Sequence, residues 1–179
     1  MALDKARSAR GALAGATAAA VWAAVQPLDE LVLRGGYDDV ALLGKAVTRG
    51  PAWPAVGFAW HVANGAAFGA AYAHVAPRLP LPRWARGPAV ALAENFAAWP
   101  LAPLVDRFHP ARNEMPAGLL TNGRALAQST WRHLVFGAVL GELERRLNPP
   151  PPPPPPAPDA HAASGNGHGD LRVALTGEA

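Results

Sequence analysis

Apolar residues dominate four long stretches of this chain, and each stretch carries only a few polar side chains. The stretches are residues 11–28, 54–76, 87–105 and 125–147. Each has about the length of ~20 residues that an α-helix needs to cross the hydrocarbon core of a bilayer. The pattern predicts an all-α protein, with a four-helix transmembrane bundle as its domain over residues 1–148.

The second stretch is the most apolar, because residues 51–77 contain no Asp, Glu, Lys or Arg. Trp53, Trp60 and Tyr72 stand near its ends, where aromatic side chains favour the membrane interface. A helix on the surface of a soluble protein would show a continuous polar face, which this stretch lacks. A soluble helical bundle is the alternative, because Glu94 and Arg132 interrupt two of the other stretches.

Proline, glycine and aspartate mark the ends of the predicted helices. Pro27 is expected to end the first helix, and Pro100 and Pro103 to kink the end of the third. Asp38 and Gly50 predict the start and stop of a short helix over 39–48. This helix is amphipathic, so it either lies at the membrane interface or packs on the bundle as an ordinary loop helix.

The C-terminal residues have a different composition. Residues 149–156 are all proline, which predicts a polyproline II rod of ~25 Å at ~3.1 Å per residue. Residues 157–179 combine Ala, Gly, Asp and His without periodicity and are predicted to be a disordered tail.

Composition narrows the function classes. Half of the 179 residues are hydrophobic and 16% are charged, against about 25% in a typical soluble domain. The net charge of +3 comes from scattered Arg residues without a basic stripe, so no nucleic-acid partner is expected. The chain has no Cys, which excludes disulfides, thiolate ligands and thiol catalysis. The expected partner is the lipid bilayer.

Charge also suggests an orientation. With four spans, the termini and the 77–86 loop share one side, which carries slightly more Lys and Arg than the other. The positive-inside rule then places both termini in the cytoplasm of a bacterial cell, with the bundle in its inner (plasma) membrane. The first helix has no clear cleavage site and is expected to stay as a span.

Small residues recur at helical spacing on several faces. Glycines four residues apart allow helix backbones to approach closely, as in membrane helix pairs. The predicted packing positions are Gly11, Gly15, Gly57, Gly65, Gly69, Gly137 and Gly141. The same faces could also pair with those of a second copy in a homo-oligomer.

The polar residues inside the spans predict a buried cluster. Its members are His61, Asn64, Glu94, Asn95, Arg132 and His133. Four further polar residues, at the ends of the spans, are expected at the mouth of a half-open pocket: Gln26, Asp29, Asp106 and His109. Because a lone charge is expensive in hydrocarbon, Glu94 and Arg132 are predicted to form an ion pair.

Three functions are compatible with such a cluster. The polar groups can be structural, hydrogen-bonding one helix to another, which is the first interpretation. They can line the pocket of a transporter or of a membrane protein that binds a small ligand or ion. They can also hold a metal or relay protons in an intramembrane enzyme. No pair of residues has a metal-site spacing such as HExxH, so no metal is expected, and no cofactor either. An enzyme stays open as the less favoured alternative.

A resemblance accompanies this interpretation. The order of PLD (27–29), YDDVALLGKAVTRG (37–50), HVANGAAFGAAYA (61–73), ENFAAWPL (94–101), DRFHPAR (106–112) and WRHLVFGAVLGELE (131–144) resembles small multi-pass membrane proteins of actinobacterial type. More loosely, it is similar to the YagU-like inner-membrane family. The resemblance covers about residues 10–147, implies an integral membrane protein and carries over no catalytic residues.

Overall fold

The regular structure of this chain is helical, as the hydrophobic pattern predicts. A computed structural model describes residues 4–115 and 118–150, and within these ranges there is no strand. The all-α class is therefore confirmed. The α-helices are α1 (Lys5–Leu33), α2 (Asp39–Val47), α3 (Trp53–Val75), α4 (Arg83–Ala98), α5 (Ala102–Phe108) and α6 (Gly123–Leu147). The predicted rod beyond residue 150 and the predicted tail lie outside the described residues.

Helix α1 is longer than predicted at both ends. It begins after Asp4, whose side chain accepts a hydrogen bond from the Arg7 backbone N–H, and it continues through Pro27 to Leu33. The prediction that Pro27 ends this helix is wrong. Proline removes one backbone donor, but the turn that follows is held from the side, because Asp29 is bonded to α6.

The third apolar stretch does not form one continuous helix. Helix α4 ends at Ala98, a 3₁₀ turn covers Trp99–Leu101, and α5 begins at Ala102. The predicted span over 87–105 is thus divided between two helices. Pro100 and Pro103 supply the reason, since neither has the N–H that a continuous α-helix would need at its position.

The predicted short helix is present as α2. Asp38 caps it by accepting a hydrogen bond from the Ala41 backbone N–H at 2.8 Å, which confirms the predicted start. Helix α2 packs on α3, where Gly44 lies against the backbone of Trp53, and Gly57 against that of Val40. Helix α2 is therefore in contact with the bundle, and its position at a membrane interface stays a prediction.

Helices α1 and α6 form the centre of the bundle. Helix α3 packs on the outer side of α1, and α4 packs on α6. Ala14, Ala18 and Ala91 are fully buried, together with the larger Trp22 and Phe136. Because α3 and α4 each pack on a different central helix, the space between them is left for the site described below.

Glycines bring the backbones together within each helix pair. A Cβ atom on Gly15 would overlap the Gly65 carbonyl, and one on Gly69 would overlap the Gly11 carbonyl. On the other side of the bundle, Gly87 of α4 lies against Gly137 and Gly141 of α6 in the same way. The predicted glycine faces are therefore used within this chain.

The two ends of the bundle are closed by polar contacts. At the end where α1 begins and α6 ends, Arg7 pairs with Glu144 at 2.8 Å and Arg10 donates to Asn148 at 2.7 Å. At the opposite end, Glu114 pairs with Lys45 at 2.9 Å and with Arg49. This second contact ties α2 to the segment that follows α5.

One helix among the described residues is both long and apolar enough to cross a membrane. It is α1, close to the N-terminus. Signal sequences and core helices of soluble proteins have the same two properties. The four predicted spans therefore stay a prediction.

Candidate functional site

A cavity of about 350 Å³ lies between α3 and α4, and residues of the two central helices, α1 and α6, also line it. Its wall combines apolar, aromatic and polar side chains from all six α-helices. Five members of the predicted polar cluster line it: His61, Asn64, Glu94, Asn95 and His133. This size is within the range of about 300–1,000 Å³ that is usual for small-ligand pockets.

His133 connects the α4 and α6 sides of this cavity. Its Nε2 atom lies 2.9 Å from a carboxylate oxygen of Glu94, and its Nδ1 atom lies 2.7 Å from the Ser129 carbonyl. The ring of His133 thus bridges the Glu94 carboxylate and the backbone of its own helix. The side chain of Glu94 is 47% exposed, which places its carboxylate at the lip of the cavity.

Asn95 lies deeper than Glu94 and is 2% exposed. Its carbonyl oxygen accepts a hydrogen bond from the Ser129 hydroxyl at 2.7 Å, and its amide donates to the Thr130 hydroxyl at 3.2 Å. Asn95 thus fastens α4 to α6 on the wall of the cavity.

His61 is the polar group of the wall whose bonding is incomplete. It is 8% exposed, and its Nε2 atom is buried without a hydrogen-bond partner among the described residues. The indole of Trp22 packs edge-on against it, with ring centroids 5.2 Å apart. A buried polar atom normally has a partner, so this nitrogen is an unsatisfied group of a residue that lines the cavity.

Arg132 belongs to a separate cluster behind the cavity wall. Its side chain is 0% exposed, and Nε and one terminal nitrogen each donate to Asp29 at 2.6 Å. The other terminal nitrogen donates to the Tyr37 carbonyl at 2.7 Å and to Asp39 at 3.2 Å. Four hydrogen bonds thus join the guanidinium to α1, to the segment before α2 and to the first residue of α2.

The predicted ion pair between Glu94 and Arg132 is wrong. Consecutive residues of an α-helix point about 100° apart, so Arg132 and His133 face different neighbours. His133 faces α4 and takes Glu94, whereas Arg132 faces α1 and takes Asp29.

Gln128 and Trp22 complete the Arg132 cluster. The Gln128 amide donates to Asp29 and to Glu30, both at 2.7 Å, and the Trp22 indole donates to Asp39 at 3.1 Å. One guanidinium thus faces two carboxylates directly, with that of Glu30 close by. The carboxylates around Arg132 therefore carry more negative charge than its single guanidinium neutralises.

Tyr37 lies over this cluster and also lines the cavity. Its ring is 5.9 Å from the Arg132 guanidinium carbon. Burial raises the pKa of its phenol well above the ordinary value, and the charge of Asp39 raises it further. The Tyr37 hydroxyl therefore stays neutral at physiological pH.

The four residues predicted at the pocket mouth lie elsewhere. Asp29 is 6% exposed beside Arg132, and the side-chain oxygen of Gln26 is buried. Asp106 accepts from the Leu119 backbone N–H at 3.1 Å, and His109 lies 2.9 Å from the Leu42 carbonyl. None of the four lines the cavity, so this prediction is wrong. Asp106 and His109 instead hold the loops around α5.

Four residues of these two clusters were not found from the sequence: Trp22, Asp39, Gln128 and Ser129. Helical spacing carries a signal for two of them, since Gln128 precedes Arg132 by four residues and Ser129 precedes His133 by four. Such pairs share one face of a helix. Asp39 has no comparable signal, because its contact depends on how α2 folds back onto the bundle.

The described residues contain no group of three or more His, Asp or Glu side chains placed to hold a metal ion. Comparisons with protein-family models, curated proteins and solved structures give no match for this chain. The resemblance to small multi-pass membrane proteins therefore stays a prediction.

Proposed function

We propose that this protein is a multi-pass integral membrane protein whose helical bundle binds a small ligand in the cavity between α3 and α4. The observation that carries this proposal is the composition of the cavity wall. Polar groups from α3, α4 and α6 converge on a space of about 350 Å³, and one of them, His61 Nε2, is buried there without a partner in the described residues. Groups that only bonded helix to helix would be expected to satisfy one another.

The Arg132 cluster has the structural role instead. Its guanidinium makes four hydrogen bonds to other parts of the bundle, and Arg132 is not among the residues that line the cavity. The sequence suggested one polar cluster with either a structural or a binding role. We assign these roles to two separate clusters. The Arg132 cluster joins the helices, and the polar residues of the cavity wall bind the ligand.

The outer face of α3 supports the membrane part of the proposal. Phe58, Trp60 and Val75 are 45%, 52% and 44% exposed, and Ala63 and Ala67 are exposed between them. This helix has 23 residues, about 34 Å at about 1.5 Å per residue, which exceeds the ~30 Å of hydrocarbon in a bilayer. Lipid is the solvent that such a face favours.

The modest average hydropathy of α3 has a local explanation. Its His and Gly residues face inward, where His61, Gly65 and Gly69 are buried. Average hydropathy counts these residues, but lipid would not contact them. The face that lipid would contact is apolar, in keeping with the rule that polar groups of membrane helices face the interior of the bundle.

The orientation that we propose places the end with both termini in the cytoplasm of a bacterial inner membrane. Arg7, Arg10, Arg145 and Arg146 lie in the α1 and α6 segments at that end. An excess of Lys and Arg is typical of cytoplasmic segments.

Cysteine labelling can test pocket, membrane and orientation together, because the natural chain contains no Cys. The matched pair is Asn64→Cys, on the cavity wall, and Ala63→Cys, the exposed neighbour that does not line the cavity. In native membranes we expect a small water-soluble thiol reagent to modify Asn64→Cys and to leave Ala63→Cys unmodified until detergent is added. Reaction at both positions would contradict the membrane assignment, and reaction at neither would contradict an accessible pocket.

Two further single-cysteine variants report the orientation. Pro80→Cys lies in the loop between α3 and α4, and Thr121→Cys lies just before α6 at the opposite end. An impermeant reagent added to spheroplasts should modify Thr121→Cys at once, and Pro80→Cys only after permeabilisation. The reverse order would place the termini outside.

A further inference from the structure

We infer that the ligand of this cavity is a small organic cation, an alkylammonium or quaternary ammonium compound. This inference rests on the proposed pocket and adds the chemical class of its occupant. It depends on the charges of the wall, on its aromatic rings and on the His61 nitrogen that has no partner in the part of the chain that the structure describes.

The charged side chains of the wall are acidic. Asp39 and Glu94 line the cavity, and none of the described lining residues is Lys or Arg. Glu94 stands at the lip with its side chain 47% exposed, where its only described ionic partner is His133. A cation entering between α3 and α4 would therefore meet a carboxylate first.

Arg132 does not cancel this negative charge. Its strongest contacts are the two bonds to Asp29 at 2.6 Å, whereas Asp39 lies farther away at 3.2 Å. The Arg132 guanidinium that contacts Asp39 is thus already paired, at a shorter distance, with the carboxylate of Asp29. In a site shielded from water such an excess charge attracts a counter-ion more strongly than it would at a protein surface.

Aromatic rings surround the same space. Trp22, Tyr37, Phe68, Trp99 and Phe136 all line the cavity. The faces of such rings attract cations through their quadrupole, and Trp attracts them most strongly. Aromatic rings together with carboxylates suit an alkylammonium group, whose charge is spread over carbon and which does not require oxygen ligands as a hard metal ion does.

His61 adds a point of orientation. Its Nε2 atom is buried at the wall without a partner among the described residues. In the neutral ring this nitrogen can accept a hydrogen bond from an ammonium N–H or from a hydroxyl carried by the ligand. An anionic ligand would find no Lys or Arg on the wall, and a purely apolar one would leave this nitrogen unpaired.

The experiment compares two thiol reagents of similar size on the full chain in membranes. One is 2-(trimethylammonium)ethyl methanethiosulfonate, a quaternary cation, and the other is 2-sulfonatoethyl methanethiosulfonate, an anion. The ratio of their rates at Asn64→Cys is divided by the ratio at Thr121→Cys, which lies outside the cavity wall. We expect this normalised ratio to favour the cation by about tenfold, as one nearby carboxylate in a partly shielded site would produce.

Two substitutions in the Asn64→Cys background identify the source of the preference. Glu94→Gln should lower the normalised ratio and leave only the part that is due to Asp39, whereas Glu142→Gln, a carboxylate paired with Arg145 and Arg146, should leave it unchanged. A normalised ratio of one or below, with both reagents reacting, would overturn the cation inference and leave the pocket standing. If neither reagent reacted at Asn64→Cys, the pocket itself would fail, and the cation inference with it.

Protection from labelling tests reversible binding. Asn64→Cys is modified with uncharged methyl methanethiosulfonate in the presence of choline, of its uncharged isostere 3,3-dimethylbutan-1-ol, or of the anion 3,3-dimethylbutanoate. Choline should slow the reaction at concentrations where the other two do not. Trp99→Leu should weaken this protection, and Trp84→Leu, which removes an indole that is 80% exposed, should not. Equal protection by the alcohol would overturn the inference, because the two compounds differ chiefly in charge.

Discussion

Both oxygens of the Asp29 carboxylate accept hydrogen bonds from the Arg132 guanidinium, each at 2.6 Å. The pair joins the last turns of α1 to the middle of α6, and the side chains are 4% and 0% exposed. Two parallel bonds fix the relative orientation of the groups as well as their distance. This contact therefore sets how the two central helices meet.

Breaking this pair should be costly. Asp29→Asn or Arg132→Met leaves a buried charge with fewer partners, which typically costs about 3–5 kcal/mol. The double variant should lose less than the sum of the two single variants, because neither charge is then left alone. The free energy of unfolding in mixed detergent and SDS micelles measures all three. Arg145→Met, which breaks an exposed pair with Glu142, serves as a control and should change little. Simple additivity would show that the two residues do not interact.

Gly15→Ala should destabilise the bundle by about 1–3 kcal/mol, because the added Cβ would overlap the carbonyl of Gly65 on α3. Gly123→Ala is the matched control. It lies at the start of α6, and a Cβ there would meet nothing within 4 Å. Thermal unfolding of the purified protein in detergent compares the two. Equal melting temperatures would contradict the close approach of α1 and α3.

Asp38→Ala should destabilise α2 by about 1 kcal/mol, since it removes the side chain that accepts from the Ala41 N–H. Asp38→Asn retains an acceptor and should cost less. Hydrogen exchange of the α2 amides reports the effect directly. Unchanged protection in Asp38→Ala would show that packing on α3, rather than the cap, holds this helix in place.

The contact between α2 and the segment after α5 should weaken in acid. The hydrogen bond from Lys45 lowers the pKa of Glu114, and the nearby charge of Arg49 lowers it further. The folded state thus holds this carboxylate ionised below the unfolded pKa of about 4.3. The stabilisation is complete above that pH and is lost as the pH falls through the lower folded pKa.

The measurement is the hydrogen-exchange protection of residues 109–115 at pH 3 and pH 6, corrected for intrinsic rates. Protection should fall at pH 3 in the natural chain. In Glu114→Gln it should be low at both values. An equal fall with pH in the variant would assign the effect to another group.

Much of the local structure could be predicted because its causes are local. Apolar runs predicted the helical segments, and Asp38 predicted the start of α2. The glycines spaced by four residues on α3 and α6 meet other helices in the structure. His61, Glu94 and His133 were grouped from their depth along the predicted spans, and all three line one cavity.

The failures are of two kinds. Pro27 was predicted to end its helix and does not, whereas Pro100 and Pro103, which were predicted to kink the end of their span, lie where it divides into two helices. The helix continues past Pro27 because a tertiary contact, that of Asp29 with α6, holds the turn that follows. The prediction of Glu94 as the partner of Arg132 was wrong for a related reason. Asp29 and Asp39 reach it because α1 continues past its proline and α2 folds back, and helical spacing predicts neither event.

The glycine contacts also have a mechanical consequence. Backbone contact joins α1 to α3 and α4 to α6, whereas α1 meets α6 through side chains such as Trp22, Phe136 and Arg132. The bundle therefore consists of two pairs in backbone contact, α1 with α3 and α4 with α6, which are joined by side chains, and the cavity lies where one pair faces the other. A small turn of one pair against the other, with the Asp29–Arg132 contact as its pivot, would change the volume of the cavity without bending any helix. We expect choline to alter the distance between spin labels on α3 and α4, while the distance between labels on α3 and α1 stays constant.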